Sequence, residues 1–168
     1  MKSRNKTLRL ALAGILCGVA VVGSMISFPV FSSKCAPVQH VVNVLAGVAL
    51  GPGYALGMAF CASLLRNLLG LGSLLAFPGS MCGALLCGVL WAKTGRLSAA
   101  VLGEIIGTGV IGGLLAYPIA VAFMGVNAGA VAYYAYVVPF LVSTAVGACI
   151  SALILMAMAR GGQIQKLY

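Results

Sequence analysis

An all-α, polytopic membrane protein is the fold class this sequence predicts: one domain, built as a bundle of six transmembrane helices. Three observations support it. Mean hydropathy is +1.16, and 62% of the 168 residues are hydrophobic while only 7% are charged, far from the make-up of a soluble globular domain. The apolar residues fall in runs separated by Gly, Pro and Ser, and the length accommodates five or six crossings at roughly 17–25 residues per about 30 Å of hydrocarbon. The basic residues gather at the chain ends and in short loops. Lys2, Arg4, Lys6, Arg9, Lys93, Arg96, Arg160 and Lys166 fall on one side of a six-span arrangement, Lys34 alone falls in a loop on the other, and Arg66 lies within a span. By the positive-inside rule both termini are then cytoplasmic. The net charge of +9 is therefore topology information and not a nucleic-acid patch.

Span 1 covers residues 7–27. Its basic head and apolar run imitate a secretion signal, but the run is long and no A-x-A site follows, so it is read as a retained helix. Ala11, Gly14 and Gly18 stand at i, i+3 and i+7 and form one small-residue stripe. Such a face lets another helix approach closely where lipid supplies no hydrophobic drive; that helix belongs either to this chain or to a partner. The loop FPVFSSKCAP follows, with Lys34 as the only charge expected outside. Span 2, residues 38–50, is about 20 Å long as a helix, too short to cross alone unless its polar first turn lies in the interface or it re-enters. His40, Asn43 and Gly47 share one of its faces. Gly51-Pro52-Gly53 breaks the chain into a tight antiparallel hairpin with span 3, residues 54–69. Ser63, Arg66 and Asn67 line one face at its end, where Arg66 either snorkels to the outer headgroups or joins a polar cluster inside the bundle.

The segment GLGSLLAFPGSM reads as a second outer loop able to hinge over a pocket, with Ser73 and Ser80 as its polar groups. Span 4, residues 80–92, places Trp91 where an interfacial aromatic belongs, ahead of a turn with Lys93 and Arg96. Span 5, residues 97–124, holds Glu104, the only acidic residue. Gly103-xxx-Gly107 and Gly109-xxx-Gly113 are close-packing faces, and Tyr117-Pro118 permits a kink. By helix rise, Glu104 sits roughly 11 Å below Arg66. It is thus expected to be protonated, paired with Lys93 or Arg96, or turned to a partner subunit. A third outer loop with Asn127 leads through Tyr133, Tyr134 and Tyr136 into span 6, residues 131–159, where Ser143, Gly147 and Ser151 form another small stripe. The tyrosines suit either an aromatic belt or stacking on a flat ligand.

Whole classes of chemistry are excluded. With no Asp, one Glu and one His, the chain alone cannot build a carboxylate pair, a His/Asp triad or a multi-ligand metal site. No GxxxxGK[ST] is present, so it cannot hydrolyse ATP by a P-loop, and no cofactor is expected. Cys17, Cys61, Cys82, Cys87 and Cys149 fall inside apolar runs, where cysteine packs as a small apolar residue, and Cys35 in its loop has no obvious disulfide partner.

The stretch PVQHVVNVLAGVALGPGYAL, followed by AFCASLLRNLLGLGSLLAFPGSMCGALL, resembles the ThiW family. That resemblance implies a substrate-binding S component of an energy-coupling factor (ECF) transporter, multi-pass in a prokaryotic cell membrane. It would capture the thiazole precursor of thiamin from outside and dock, through Ala11, Gly14 and Gly18, onto a transmembrane coupling subunit driven by two ATPase subunits. A hydroxyethylthiazole is small, flat and mostly uncharged, so it needs an apolar or aromatic slot with a few hydrogen bonds. On that expectation His40, Asn43, Arg66, Asn67 and Ser73 supply the hydrogen bonds, and Tyr117, Asn127, Tyr133 and Tyr136 the opposite wall. Arg66 would meet a phosphate if the ligand is phosphorylated. The rival from another class is a small channel or structural membrane protein without its own ligand; a membrane enzyme would lack its acid and base residues.

Overall fold

The computed structural model describes residues 6–30 and 33–161 and, among these, the side chains other than those of 29, 30, 33 and 34. Lys2, Arg4 and Lys166 lie outside the described residues, as does the side chain of Lys34. Six helical rods run back and forth. Helix α1 (Lys6–Gly23) is followed by a two-stranded antiparallel hairpin, β1 (Phe28–Val30) and β2 (Ser33–Cys35), paired Phe28 to Cys35. Then come α2 (Pro37–Leu50), α3 (Pro52–Leu68) and α4 (Ala76–Thr94). The fifth rod is continuous but changes geometry twice: α5 (Leu97–Glu104), a π-helical segment (Ile105–Gly112) and α6 (Gly113–Phe123). Helix α7 (Val137–Arg160) closes the bundle. Helices α1, α4, α7 and the fifth rod are long and apolar enough to cross a membrane, whereas α2 is shorter at 14 residues.

Burial follows the logic of a membrane protein. The interior is made mostly of Ala, Cys, Gly, Ser and Thr, while Leu, Ile, Val and Phe populate the exposed surface. Lipid tails are as apolar as leucine, so helices gain by close backbone approach instead of by burying large side chains. The protein is accordingly a membrane-embedded all-α bundle.

Two helix starts differ from the sequence-based reading. Helix α4 begins at Ala76, inside the stretch read as a loop, and α7 begins at Val137, after the tyrosines placed at the head of span 6. Pro78 and Pro139 each occupy the first turn, where the missing N–H has no intrahelical acceptor and costs nothing. Trp91 is buried between α4, α5 and α7 instead of lying in an interfacial belt. Cys35 is also buried, donating to the Pro139 carbonyl at 3.3 Å and so tying the hairpin to α7.

Glycine sets the spacing of the central rods. A Cβ on Gly103 would meet the Leu86 carbonyl at 2.8 Å, one on Gly107 the Cys82 carbonyl at 2.6 Å, and one on Gly112 the Gly79 Cα at 2.5 Å. All three glycines therefore face α4. Their intervals are four and then five residues, and the π-helical segment, with its wider turn, keeps Gly112 on the face that a regular α-helix would hand to Ile111. Gly113 turns to α7, where its Cβ would lie 2.7 Å from the Val137 Cα, and Gly109 likewise abuts Leu141 of α7. Gly147 of α7 in turn lets α2 approach, since a Cβ there would meet the Pro37 carbonyl at 2.5 Å and the His40 Cβ at 2.6 Å. Between α2 and α3 the turn is made by Gly51 at φ +84°.

The stripe Ala11, Gly14 and Gly18 faces outward: all three are exposed, and nothing lies within 4 Å of a Cβ at either glycine. Helix α1 packs inward through Ala13, Cys17 and Ala20, so intramolecular packing does not account for the stripe.

These contacts define an asymmetric test. Gly107→Val should lower the thermal midpoint of the purified protein in detergent by an amount equivalent to about 1–3 kcal/mol, because backbone on α4 blocks it. Gly57→Ala, whose Cβ meets nothing within 4 Å, should leave the midpoint unchanged.

Candidate functional site

A cavity of about 470 Å³, including its open mouth, lies where α2 and α7 begin and α3 ends. Its walls bring Gln39 and His40 from α2, Arg66 from α3, Ser73 from the α3–α4 loop, Ser80 from α4, Thr108 from the π-helical segment, and Phe140 and Ser143 from α7. This end of the bundle also carries the β-hairpin, whereas Lys93, Arg96 and Arg160 lie at the other.

The floor is organised by Glu104, which is fully buried. Its Oε1 receives His40 Nδ1 at 2.9 Å, Asn43 Nδ2 at 3.1 Å and Thr108 Oγ1 at 3.0 Å. The far ring nitrogen of His40, Nε2, lies 3.1 Å from Ser143 Oγ, which also accepts the Ala36 N–H at 3.1 Å. A neutral imidazole protonated on Nδ1 satisfies every group in that chain, because Nε2 can then accept the serine hydroxyl. The network extends the other way as well. Asn43 donates to the Ser80 carbonyl at 3.2 Å, Ser80 and Ser63 share a hydroxyl contact at 2.8 Å, and Gln39 Nε2 donates to Ser63 at 3.4 Å. Hydrogen bonds thus run unbroken from Gln39 to Ser143 through α2, α3, α4 and α7, with the fifth rod joined at Glu104. In a bilayer such polar groups have no water to fall back on, and these mutual hydrogen bonds offset much of the cost of their burial, while Asn43 Oδ1 and Glu104 Oε2 have no hydrogen-bond partner among the described residues.

Of the alternatives left open for Glu104 by the sequence, pairing with Lys93 or Arg96 and turning to a partner subunit are corrected: its side chain is buried inside the bundle against His40. The register of α2 brings this about, since Gly147 lets the first turn of that helix sink against α7.

Arg66 is held differently. Helix α3 ends in a Schellman motif: Leu71 N–H donates to the Arg66 carbonyl at 2.8 Å and Gly70 N–H to that of Asn67 at 3.1 Å, with Gly70 at φ +71°. Asn67 Nδ2 then donates to the Ser63 and Ser73 carbonyls at 2.8 and 3.0 Å, pinning the loop that brings Ser73 to the cavity. Arg66 is only 3% exposed, and its Nε has no hydrogen-bond partner among the described residues. It does not snorkel to the surface.

Of the residues singled out from sequence, His40, Arg66 and Ser73 line the cavity, Asn43 stands behind it on Glu104, and Asn67 braces its loop. Tyr136 is buried beside Phe140 and Leu75 and backs the wall. Tyr117, Asn127 and Tyr133 are not among the lining residues: Tyr117 donates to the Ala128 carbonyl at 2.8 Å and packs edge-on against Tyr133, while Asn127 accepts the Gly129 N–H. Gln39, Ser80, Thr108, Phe140 and Ser143 line the cavity without having been marked as ligand-contacting candidates. No group of three or more metal-ligating residues occurs among the described residues.

The fold and site together define a membrane-embedded helical bundle with a polar cavity set between its helices. The chain belongs to the ThiW family of thiamine-precursor transporter proteins, whose family model matches residues 10–161. No curated protein matches it.

Breaking the floor should be costly. Glu104→Ala leaves the buried His40 Nδ1 without its acceptor and takes one of two acceptors from Asn43 Nδ2, and is expected to destabilise the protein by about 3 kcal/mol, read as a lowered thermal midpoint. Glu104→Gln, which keeps an oxygen in place, should lose less than the alanine variant.

Proposed function

We propose that this chain is the substrate-capture subunit of an ECF-type importer, and that the cavity binds hydroxyethylthiazole, the thiazole moiety of thiamin, or a close thiamin precursor. The observation that supports the reading best is the cavity itself: a polar slot within an otherwise apolar bundle, in a chain of the ThiW family. Phe140 and Leu75 offer apolar walls for a flat ring. Gln39, Ser73, Ser143 and the His40 edge offer hydrogen bonds to a ring nitrogen and a hydroxyl. By the positive-inside rule the cavity end faces outward, because Arg9, Lys93, Arg96 and Arg160 belong to the opposite end, and both termini are cytoplasmic.

No nucleotide-binding loop is encoded in the chain, so an active uptake cycle needs energy from partners. On this reading these are a transmembrane coupling subunit and two ATPase subunits, and the exposed Ala11, Gly14 and Gly18 stripe on α1 is the docking face. A stripe of that kind permits the close helix approach that packing in lipid requires.

Calorimetric titration of the purified full-length protein with hydroxyethylthiazole, the pyrimidine precursor and thiamin tests the ligand. Binding of the thiazole is expected, and silence with all three would refute the assignment. Replacing Gly14 and Gly18 together with Leu should leave that binding intact while abolishing cellular uptake of the labelled ligand. Loss of binding in the purified variant would instead make the stripe part of the fold.

A further inference from the structure

Arg66 is a buried cation with no ion-pair partner among the described residues. It is 97% removed from solvent and lines the cavity, and among those residues its Nε has no hydrogen-bond partner. Glu104 is the only acidic residue in the sequence, and its Oε1 is already taken by His40, Asn43 and Thr108. The ion pair found among the described residues is His40–Glu104, and Arg66 is not in it. A guanidinium stays charged in proteins and presents a planar fork of donors suited to carboxylate or phosphate oxygens. Holding such a group out of solvent without an anion is costly.

We propose that the cavity contains an anion subsite centred on Arg66, and that its preferred occupant is a small heterocycle bearing an oxyanion, either a carboxylate or a phosphate monoester. This deepens the capture reading and rests on it for the heterocycle alone. The backbone around Arg66 is built to present the side chain inward. The Schellman turn at Gly70 folds the chain over the Arg66 carbonyl, and Gly72 lies so close that a Cβ there would come within 3.2 Å of the Arg66 Cβ. Ser73 and Gln39, on the same cavity wall, are neutral donors able to share the oxyanion. Glu104 Oε1 is engaged by His40, Asn43 and Thr108, and Glu104 is not among the lining residues, which leaves the Arg66 guanidinium as the permanently charged group lining the cavity.

The test is a competition series on the full-length protein in nanodiscs, using hydroxyethylthiazole, its phosphate monoester, 4-methylthiazole-5-carboxylate and inorganic phosphate as probes. The wild-type ratio decides first and needs no variant. At least one anionic thiazole should bind about tenfold or more tightly than the neutral alcohol, the gain expected of a charge-assisted hydrogen bond in a desolvated site. The two anionic arms identify which oxyanion is preferred. Arg66→Gln should bring anionic and neutral thiazoles to within about threefold of each other, and Arg66→Lys should restore part of the preference. Neutral alcohol binding as tightly as both anions overturns the anion subsite and leaves the capture reading in place. Inorganic phosphate binding that Arg66→Gln abolishes, with no thiazole bound, upholds the subsite and overturns the thiazole assignment. No binding by any probe overturns both.

Discussion

Three side chains from two stretches of the chain converge on a single oxygen, Glu104 Oε1, and the arrangement of the bundle depends on that convergence. His40 comes from α2, Asn43 from one turn further along it, and Thr108 from one turn beyond Glu104 itself. A carboxylate held in a bilayer must be met by several donors or be neutralised, because desolvation otherwise exceeds any gain from burial. Meeting it fixes the rotation of α2 and the depth of the fifth rod together. The same contacts hold His40 against Ser143 and so set the mouth of α7. The cavity is the space left above this knot.

Close packing makes the knot possible. Glu104 can lie flat against α4 only because Gly83 has no side chain, its would-be Cβ falling 2.6 Å from Glu104 Oε2. Gly103, Gly107 and Gly112 bring the fifth rod against α4, and the π-helical segment keeps them in line. Such segments are uncommon and are found mostly at functional sites. Here it begins one residue after the buried carboxylate and carries Thr108, so one irregularity serves both the packing and the polar floor.

Much of the architecture was readable from the chain. Apolar runs, basic turns and Gly-Pro breaks located the helices, and residues such as His40, Asn43 and Arg66 stood out as polar groups in apolar surroundings. The π-helical segment did not, because Gly103 and Gly107 alone read as an ordinary i, i+4 face and the fifth-residue step to Gly112 acquires meaning only once α4 is beside it. Ser63, Ser80, Thr108 and Ser143 were weak signals for a related reason: a hydroxyl in a helix can bond its own backbone, so its presence marks no site. The partner of Glu104 was missed because its height by helix rise was compared with that of Arg66 alone, and not with that of His40 on the short α2.

That short helix has a consequence for the membrane around it. Fourteen residues rise only about 21 Å, roughly 9 Å less than the hydrocarbon layer. Ten of those residues are buried, so the shortfall is borne inside the protein and need not thin the surrounding bilayer. The hairpin and the polar cavity lie at the end where this helix begins. A solute seated there would sit among side chains of α2, α3, α4 and α7, inside the bundle and not on its lipid-facing surface.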